Sequence, residues 1–145
     1  DGYLYITGRV KEQYKLENGK FVAPAPLEES LKLSAFIDQV MLYGFNRPFN
    51  VALIVIAIPA LEQYAKDNQI SGDLESLLVH PLVNELFKSQ LEKYGKEFRG
   101  FENPKNFVLL KEEWGIDNGM LTPTLKLRRS VVEERYKSQI EGLYS

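Results

Sequence analysis

Hydrophobic and polar residues alternate with a period of two over residues 3–7, where tyrosine and threonine interleave with leucine and isoleucine. This pattern is typical of a β-strand. Further along, Asn18-Gly19 readily adopts the positive φ of a tight turn. We therefore predict a β-hairpin whose second strand returns through residues 20–23.

Two apolar runs predict the centre of a sheet. Residues 36–44 form one strand, and residues 51–58 form a second that is almost wholly apolar. A strand this apolar is expected in the middle of its sheet with both faces covered. The linker over residues 45–48 has turn character, which makes antiparallel pairing the simplest arrangement. Residues 106–110 predict a last core strand.

Helical spacing, with proline at or near several starts, accounts for most of the remaining chain. In the longest helix we expect Leu82, Leu86, Leu91 and Tyr94 on the buried face. Few strands surrounded by segregated helices predict an α+β domain: an N-terminal hairpin followed by a small, mostly antiparallel sheet flanked by helices. The predicted helices cover residues 27–33, 59–68, 81–98 and 130–143, with a short turn at 74–78 and a loop at 114–125.

Composition narrows the class of protein. The chain of 145 residues is one domain in size, and its net charge of -2 argues against a dedicated nucleic-acid binder. The absence of cysteine excludes disulfides, thiolate metal ligands and a cysteine nucleophile. No apolar run is long enough to predict a membrane span, and no signal-peptide pattern is present. We interpret the abrupt start at Asp1 as a cut inside a longer protein.

Most common metal-site and nucleotide-binding motifs are absent from this sequence. His80 is the only histidine and precedes a proline at a predicted helix start, so we interpret it as a surface or capping residue and predict no metal site. There is no GxxxxGK[ST] loop and no GxGxxG motif. Trp114 is expected in the core or at an interface. We conclude that this segment alone does not hold ATP.

Two motifs nevertheless carry a family resemblance. Residues 8–29 resemble the start of the small C-terminal domain of AMP-forming acyl-CoA synthetases, the adenylate-forming superfamily, and residues 11–20 resemble its long-chain fatty acid branch. Residues 118–129 resemble the C-terminal lysine motif of the same branch. The resemblance implies that residues 1–145 are the C-terminal mobile domain of a larger enzyme. The hinge and hairpin would occupy residues 1–24 and the body residues 25–145.

The function implied by the resemblance is that of a long-chain fatty acid CoA ligase. Such an enzyme joins a fatty acid to ATP as an acyl-adenylate and then transfers the acyl group to CoA, with Mg²⁺ accompanying ATP. This domain would alternate between two orientations on the N-terminal adenylation domain, which is absent here and would hold most of the ATP, CoA and Mg²⁺. The segment by itself would be inactive, and we expect a cytoplasmic location with peripheral membrane attachment left open.

Lys126 is the first candidate for a catalytic residue. By resemblance it is the lysine that enters the active site for adenylation, where its ammonium would offset the repulsion between a carboxylate and the α-phosphate. The bland alternative is a solvated basic patch formed by Lys126, Arg128 and Arg129. One departure from the superfamily is Leu125, which stands where glycine is usual, although the long-chain branch accepts a bulkier residue there.

The resemblance also assigns roles around the hairpin. Lys11 matches the hinge position, and Arg9 matches an arginine that contacts the nucleotide. Gly19 matches the glycine that leaves room for the pantetheine arm of CoA, although a plain turn glycine explains it equally well. Lys15 and Lys20 are candidates for the thioester face or for attracting CoA phosphates, with protection of an edge strand as the alternative.

Two other functions remain open from the sequence alone. The first is a non-enzymatic α+β module whose hairpin and basic loop bind a protein or anionic partner. The second is a ligase for a different carboxylic acid, because the acyl pocket of the family lies on the missing domain.

Overall fold

The computed structural model describes residues 13–144. The strand predicted over residues 3–7 lies outside the described residues. Strand β1 (Tyr14–Lys15) pairs antiparallel with β2 (Phe21–Val22). Gly19 lies at the turn with φ of 90°. The left-handed conformation is the reason for glycine there, since side chains rarely adopt it. The predicted Asn18-Gly19 turn is confirmed.

The central sheet has three strands in the order β3-β4-β5. Strand β3 (Ile37–Tyr43) is antiparallel to β4 (Val51–Ile56), and β5 (Asn106–Leu110) is parallel to β4. Every residue of β4 is buried, as its apolar sequence predicts for a strand covered on both faces. The antiparallel β3–β4 pair is therefore confirmed, and the parallel partner makes the sheet mixed.

Helices lie on both sides of this sheet, which confirms the α+β class. Helix α1 begins at Pro24, earlier than the start near residue 27 that we predicted, because the fixed φ of proline suits the first helical turn. The closing helix is divided at Tyr136, whose φ of -112° departs from helical geometry. The helices are α1 (Pro24–Leu31), α2 (Ile58–Asp67), α3 (Leu74–Leu78), α4 (Pro81–Gly95), α5 (Arg129–Arg135) and α6 (Lys137–Gly142).

The buried face of α4 agrees with the prediction except at Leu82. Leu91 is buried as predicted, and Leu86 and Tyr94 are partly buried against the core, whereas Leu82 is 50% exposed. The most deeply buried stripe has a spacing of four residues and comprises Val83, Phe87 and Leu91, so it shares Leu91 with the predicted face. Apolar side chains occur on two adjacent faces, so only the packing partners of the helix select the most deeply buried one.

Two hydrophobic clusters occupy opposite faces of the sheet. Side chains that alternate along β3 and β4 point to one cluster or the other, as a pleated strand requires. The first cluster includes Leu27, Leu31, Ile54, Leu61 and Phe87. The second includes Met41, Leu53, Trp114, Met120 and Val132. Trp114 is thus a core residue, as expected. Among residues 13–144, none of the helices has the length and apolar character of a membrane span.

Candidate functional site

Lys126 lies at the end of a tight loop whose two sides are bridged. Leu121 and Leu127 form an antiparallel β-bridge. Within the loop, the N–H of Leu125 donates to the carbonyl of Thr122 at 2.7 Å, and the N–H of Thr122 donates to the carbonyl of Lys126 at 2.8 Å. Backbone hydrogen bonds within the loop therefore hold Lys126 at a defined position, and its side chain remains exposed.

The base of this loop is attached to the second hydrophobic cluster. The N–H of Arg128 donates to the carbonyl of Met120 at 2.8 Å, and the Met120 side chain is buried beside Trp114. Leu125 has a φ of 66° and is 67% exposed. A leucine in the left-handed region carries a conformational cost. This is the position at which the superfamily resemblance expects glycine.

An open cleft of about 880 Å³ lies beside Lys126. Its walls come from α1, the start of β3 and the Lys126 loop, and they mix carboxylates with cations. The charged lining residues are Glu28, Glu29, Lys32, Asp38, Glu113, Lys126 and Arg129. An exposed cationic side chain at the rim of a mixed-charge cleft is suited to meeting an anionic group from outside this chain.

Glu28 and Arg129 form a bidentate ion pair at one side of this cleft. Arg129 Nη1 donates to Glu28 Oε2 at 2.7 Å, and Nη2 donates to Oε1 at 2.6 Å. The carboxylate also accepts the N–H of Leu42 at 2.7 Å. The side chain of Glu28 is 7% exposed and that of Arg129 is 20% exposed. Together with Leu42 on β3, the pair joins α1, the sheet and the first residue of α5.

Sequence reasoning missed this pair. We interpreted Arg129 as part of the lysine motif or of a solvated basic patch, and the structure instead buries most of its side chain. A signal was available in α1, where Pro24, Leu27 and Leu31 define the buried stripe and Glu28 falls on it. A carboxylate at a core position requires a partner, because burying an unpaired charge is costly.

The hairpin carries the other predicted site residues. Lys15 and Lys20 are exposed, and each lies over an aromatic ring: Lys15 Nζ is 5.7 Å from the ring centroid of Phe21, and Lys20 Nζ is 5.0 Å from that of Phe101. A Cβ added to Gly19 would meet no atom within 4 Å. Among the described residues, those lining the Lys126 cleft include none from the hairpin, so the two groups of candidates are not brought together.

Hydrogen bonds anchor the hairpin to the body of the domain. The hydroxyl of Tyr14 donates to Asn50 Oδ1, and Asn50 Nδ2 donates to the carbonyl of Glu102 at 2.8 Å. The N–H of Asn46 also donates to the carbonyl of Lys15 at 2.8 Å. Burial raises the pKa of the Tyr14 phenol, so this hydroxyl stays protonated as the donor. Asn50 is fully buried, which makes its bonds structurally important.

The remaining candidates are placed as follows. Arg9 and Lys11 lie outside the described residues. His80 precedes α4, and its Nδ1 accepts the N–H of Leu82 at 3.1 Å, which confirms the predicted capping role.

Comparison with known families agrees with the first motif, at the hairpin. A family profile described as the AMP-binding enzyme C-terminal domain matches residues 11–99. The match covers more than half of the chain, and the chain belongs to this family of AMP-binding enzyme C-terminal domains.

Individual relatives support the same assignment. Long-chain-fatty-acid–CoA ligase 5 of Mus musculus is 33% identical over 147 residues, covering 99% of this chain and 22% of the ligase. Long-chain-fatty-acid–CoA ligase FadD15 of Mycobacterium tuberculosis is 34% identical over 147 residues, covering 100% of this chain and 24% of the ligase. The chain thus spans less than a quarter of the length of these curated relatives.

One solved structure with a similar fold is an A domain. It is the A domain of carboxylic acid reductase from Segniliparus rugosus, solved in complex with AMP and a co-purified carboxylic acid. The two share 28% identity with a TM-score of 0.74, over 93% of this chain and 20% of that chain.

Proposed function

We propose that this chain is the C-terminal mobile domain of an AMP-forming long-chain fatty acid CoA ligase. The observation that carries the proposal is the exposed Lys126 on a backbone-bonded loop, in a chain of a family whose relatives include long-chain-fatty-acid–CoA ligases. The full-length protein would convert fatty acid, ATP and CoA into acyl-CoA, AMP and pyrophosphate through an acyl-adenylate. An N-terminal adenylation domain would hold most of the substrates and Mg²⁺, so residues 1–145 alone would be inactive.

Lys126 is the proposed catalytic residue of the adenylation step. A carboxylate that attacks the α-phosphate of ATP brings two anions together, and an ammonium group between them lowers that repulsion. The exposed, unbranched side chain of Lys126 can reach such a site on a neighbouring domain. Because the loop already holds its backbone, Lys126 loses little backbone freedom within the domain when it binds.

The hairpin is the proposed surface for thioester formation. Gly19 leaves open space above the turn, which supports passage of the pantetheine arm. Lys15 and Lys20 are exposed and placed to attract CoA phosphates. In the same proposal, Lys11 is the hinge residue and Arg9 contacts the nucleotide. The hairpin and the Lys126 cleft are separate surfaces, so a rotation of the whole domain would present them in turn.

A test of the proposal separates the two half-reactions in the intact protein. Lys126→Ala should abolish fatty-acid-dependent adenylate formation and preserve CoA transfer from supplied acyl-adenylate. Lys137→Ala is a matched control, because Lys137 is an exposed lysine on α6 and outside the proposed site. If Lys126→Ala leaves both half-reactions near the wild-type rate, the assignment of Lys126 is wrong.

A second candidate is an adenylate-forming enzyme for a different carboxylic acid. The similarity to the A domain of carboxylic acid reductase favours keeping it. A panel of long-chain, short-chain and aromatic acids in the adenylation assay distinguishes the two. Preference for long-chain acids supports the first proposal, and preference for another acid supports the second.

A further inference from the structure

The Glu28–Arg129 pair stands between the two surfaces of the domain. Helix α1, which contains Glu28, follows directly on strand β2 of the hairpin. Arg129 is the first residue of α5 and comes directly after the Lys126 loop. Arg129 lines both the cleft beside Lys126 and a smaller pocket of about 230 Å³ that includes Gln13 and Tyr14 at the base of the hairpin.

The geometry of the pair determines orientation as well as charge. Two parallel N–H···O bonds hold the guanidinium in the plane of the carboxylate, and the Leu42 N–H occupies a further site on Glu28 Oε2. A lysine ammonium supplies the charge without this fork. Such a pair therefore orients the chain that follows Lys126, and a single positive charge in the same place would not.

The two surfaces depend on this pair unequally. The hairpin has its own anchors on the body, through Tyr14 to Asn50 and through the carbonyl of Lys15 to Asn46. The Lys126 loop has two internal backbone hydrogen bonds and an attachment to Met120, and Arg129, at the end of the loop, is bonded to Glu28 on α1. Loosening the pair should displace Lys126 and leave the hairpin in place.

We propose that Glu28 and Arg129 are a positioning pair for Lys126 that supports adenylation selectively over thioester formation. This inference rests on the proposed function of Lys126. The pair does not touch the reacting atoms, and it acts by holding the end of the Lys126 loop against α1. A misplacement of about 1 Å at a catalytic group can lower a rate by about 100-fold, so a small movement of the loop is sufficient.

The experiment uses the intact protein with Arg129→Lys, Glu28→Gln and the double variant. Arg128→Lys is the matched control, because Arg128 is the adjacent arginine of the same motif and is exposed. We expect Arg129→Lys and Glu28→Gln each to lower kcat for adenylation by about 10-fold to 100-fold. The KM for ATP and the rate of CoA transfer from supplied acyl-adenylate should stay within about 3-fold of wild type, as should both rates in Arg128→Lys.

The double variant tests whether the two residues act as one unit. If they do, the double variant loses no more adenylation activity than the less active of the two single variants. Additive losses of adenylation in the double variant would overturn the proposal. So would a single variant that loses adenylation and CoA transfer equally, or an equal loss of adenylation in Arg128→Lys. Adenylation retained in both single variants would overturn it as well. Lys126→Ala distinguishes failure of the positioning role from failure of the proposed function. If Lys126→Ala abolishes adenylation while Arg129→Lys does not, only the positioning role fails. If Lys126→Ala itself retains adenylation, the proposed function of Lys126 fails.

Discussion

Thr122 and Lys126 are joined by two hydrogen bonds across the tight loop. The N–H of Lys126 donates to Thr122 Oγ1 at 3.1 Å, and the carbonyl of Lys126 accepts the N–H of Thr122 at 2.8 Å. The threonine therefore holds both polar groups of the lysine backbone. The side chain of Lys126 projects from a fixed point, which is the geometry required of a group that enters a neighbouring site.

Replacing Thr122 by valine should weaken this arrangement. Thr122→Val removes the hydroxyl acceptor while keeping the branched shape, and a hydrogen bond of this kind contributes about 1 kcal/mol. We expect adenylation by the intact protein to fall by about 5-fold, which corresponds to that energy. Thr122→Ser keeps the hydroxyl and should retain most of the rate. Equal rates for the valine and serine variants would show that the hydroxyl has no role.

Leu125 should tolerate glycine better than alanine. Its φ of 66° is unfavourable for any residue with a Cβ by about 1 to 2 kcal/mol, and its side chain is largely exposed, so little packing is lost on truncation. Leu125→Gly should therefore be more stable than Leu125→Ala by about 1 kcal/mol, measured by urea unfolding of the 145-residue chain. The reverse order would mean that the left-handed conformation is not retained in solution.

Tyr14→Phe should destabilise the domain through Asn50. The variant removes the phenol that donates to the buried Asn50 Oδ1, and an unsatisfied buried polar atom costs about 1 to 3 kcal/mol. Tyr64→Phe is the control, because Tyr64 packs edge-to-face on Phe36 at 5.8 Å between ring centroids and this contact survives loss of the hydroxyl. Urea unfolding of both variants measures the difference, and equal stabilities would contradict the role of the Tyr14 bond.

Glu112 should contribute a pH-dependent part of the stability. Hydrogen bonds from Tyr136 and Arg135 hold the pKa of its carboxyl below the usual range. Because the folded-state pKa is lowered, the contribution is present above the ordinary pKa near 4.5 and is lost as pH falls through the folded value.

A comparison of Tm between pH 7 and pH 3 tests this expectation. Glu112→Gln should melt below wild type at pH 7, and the gap should close towards pH 3. Glu113→Gln, the adjacent exposed glutamate, is the control. A gap that does not change with pH would show that the charge of Glu112 has no part in it.

Parts of the fold are predictable because short stretches of sequence favour one local structure. Asn18-Gly19 predicts the hairpin turn, and the apolar sequence of Val51–Ile56 predicts a central strand. The exposure of Leu82 on α4 was not predictable, because apolar residues occupy two adjacent faces and packing against α1 and the sheet selects one. The division of the closing helix at Tyr136 was not predictable either, since the helical sequence pattern continues through this residue.

The candidate site divides in the same way. The sequence by itself determined the Lys126 motif, the turn glycine and the order of the elements, because each depends on residues close together in the chain. Only the tertiary structure decided the pairing of Glu28 with Arg129 and the parallel placement of β5. These depend on distant segments meeting in one place, where burial requires each charge and each backbone group to find a partner.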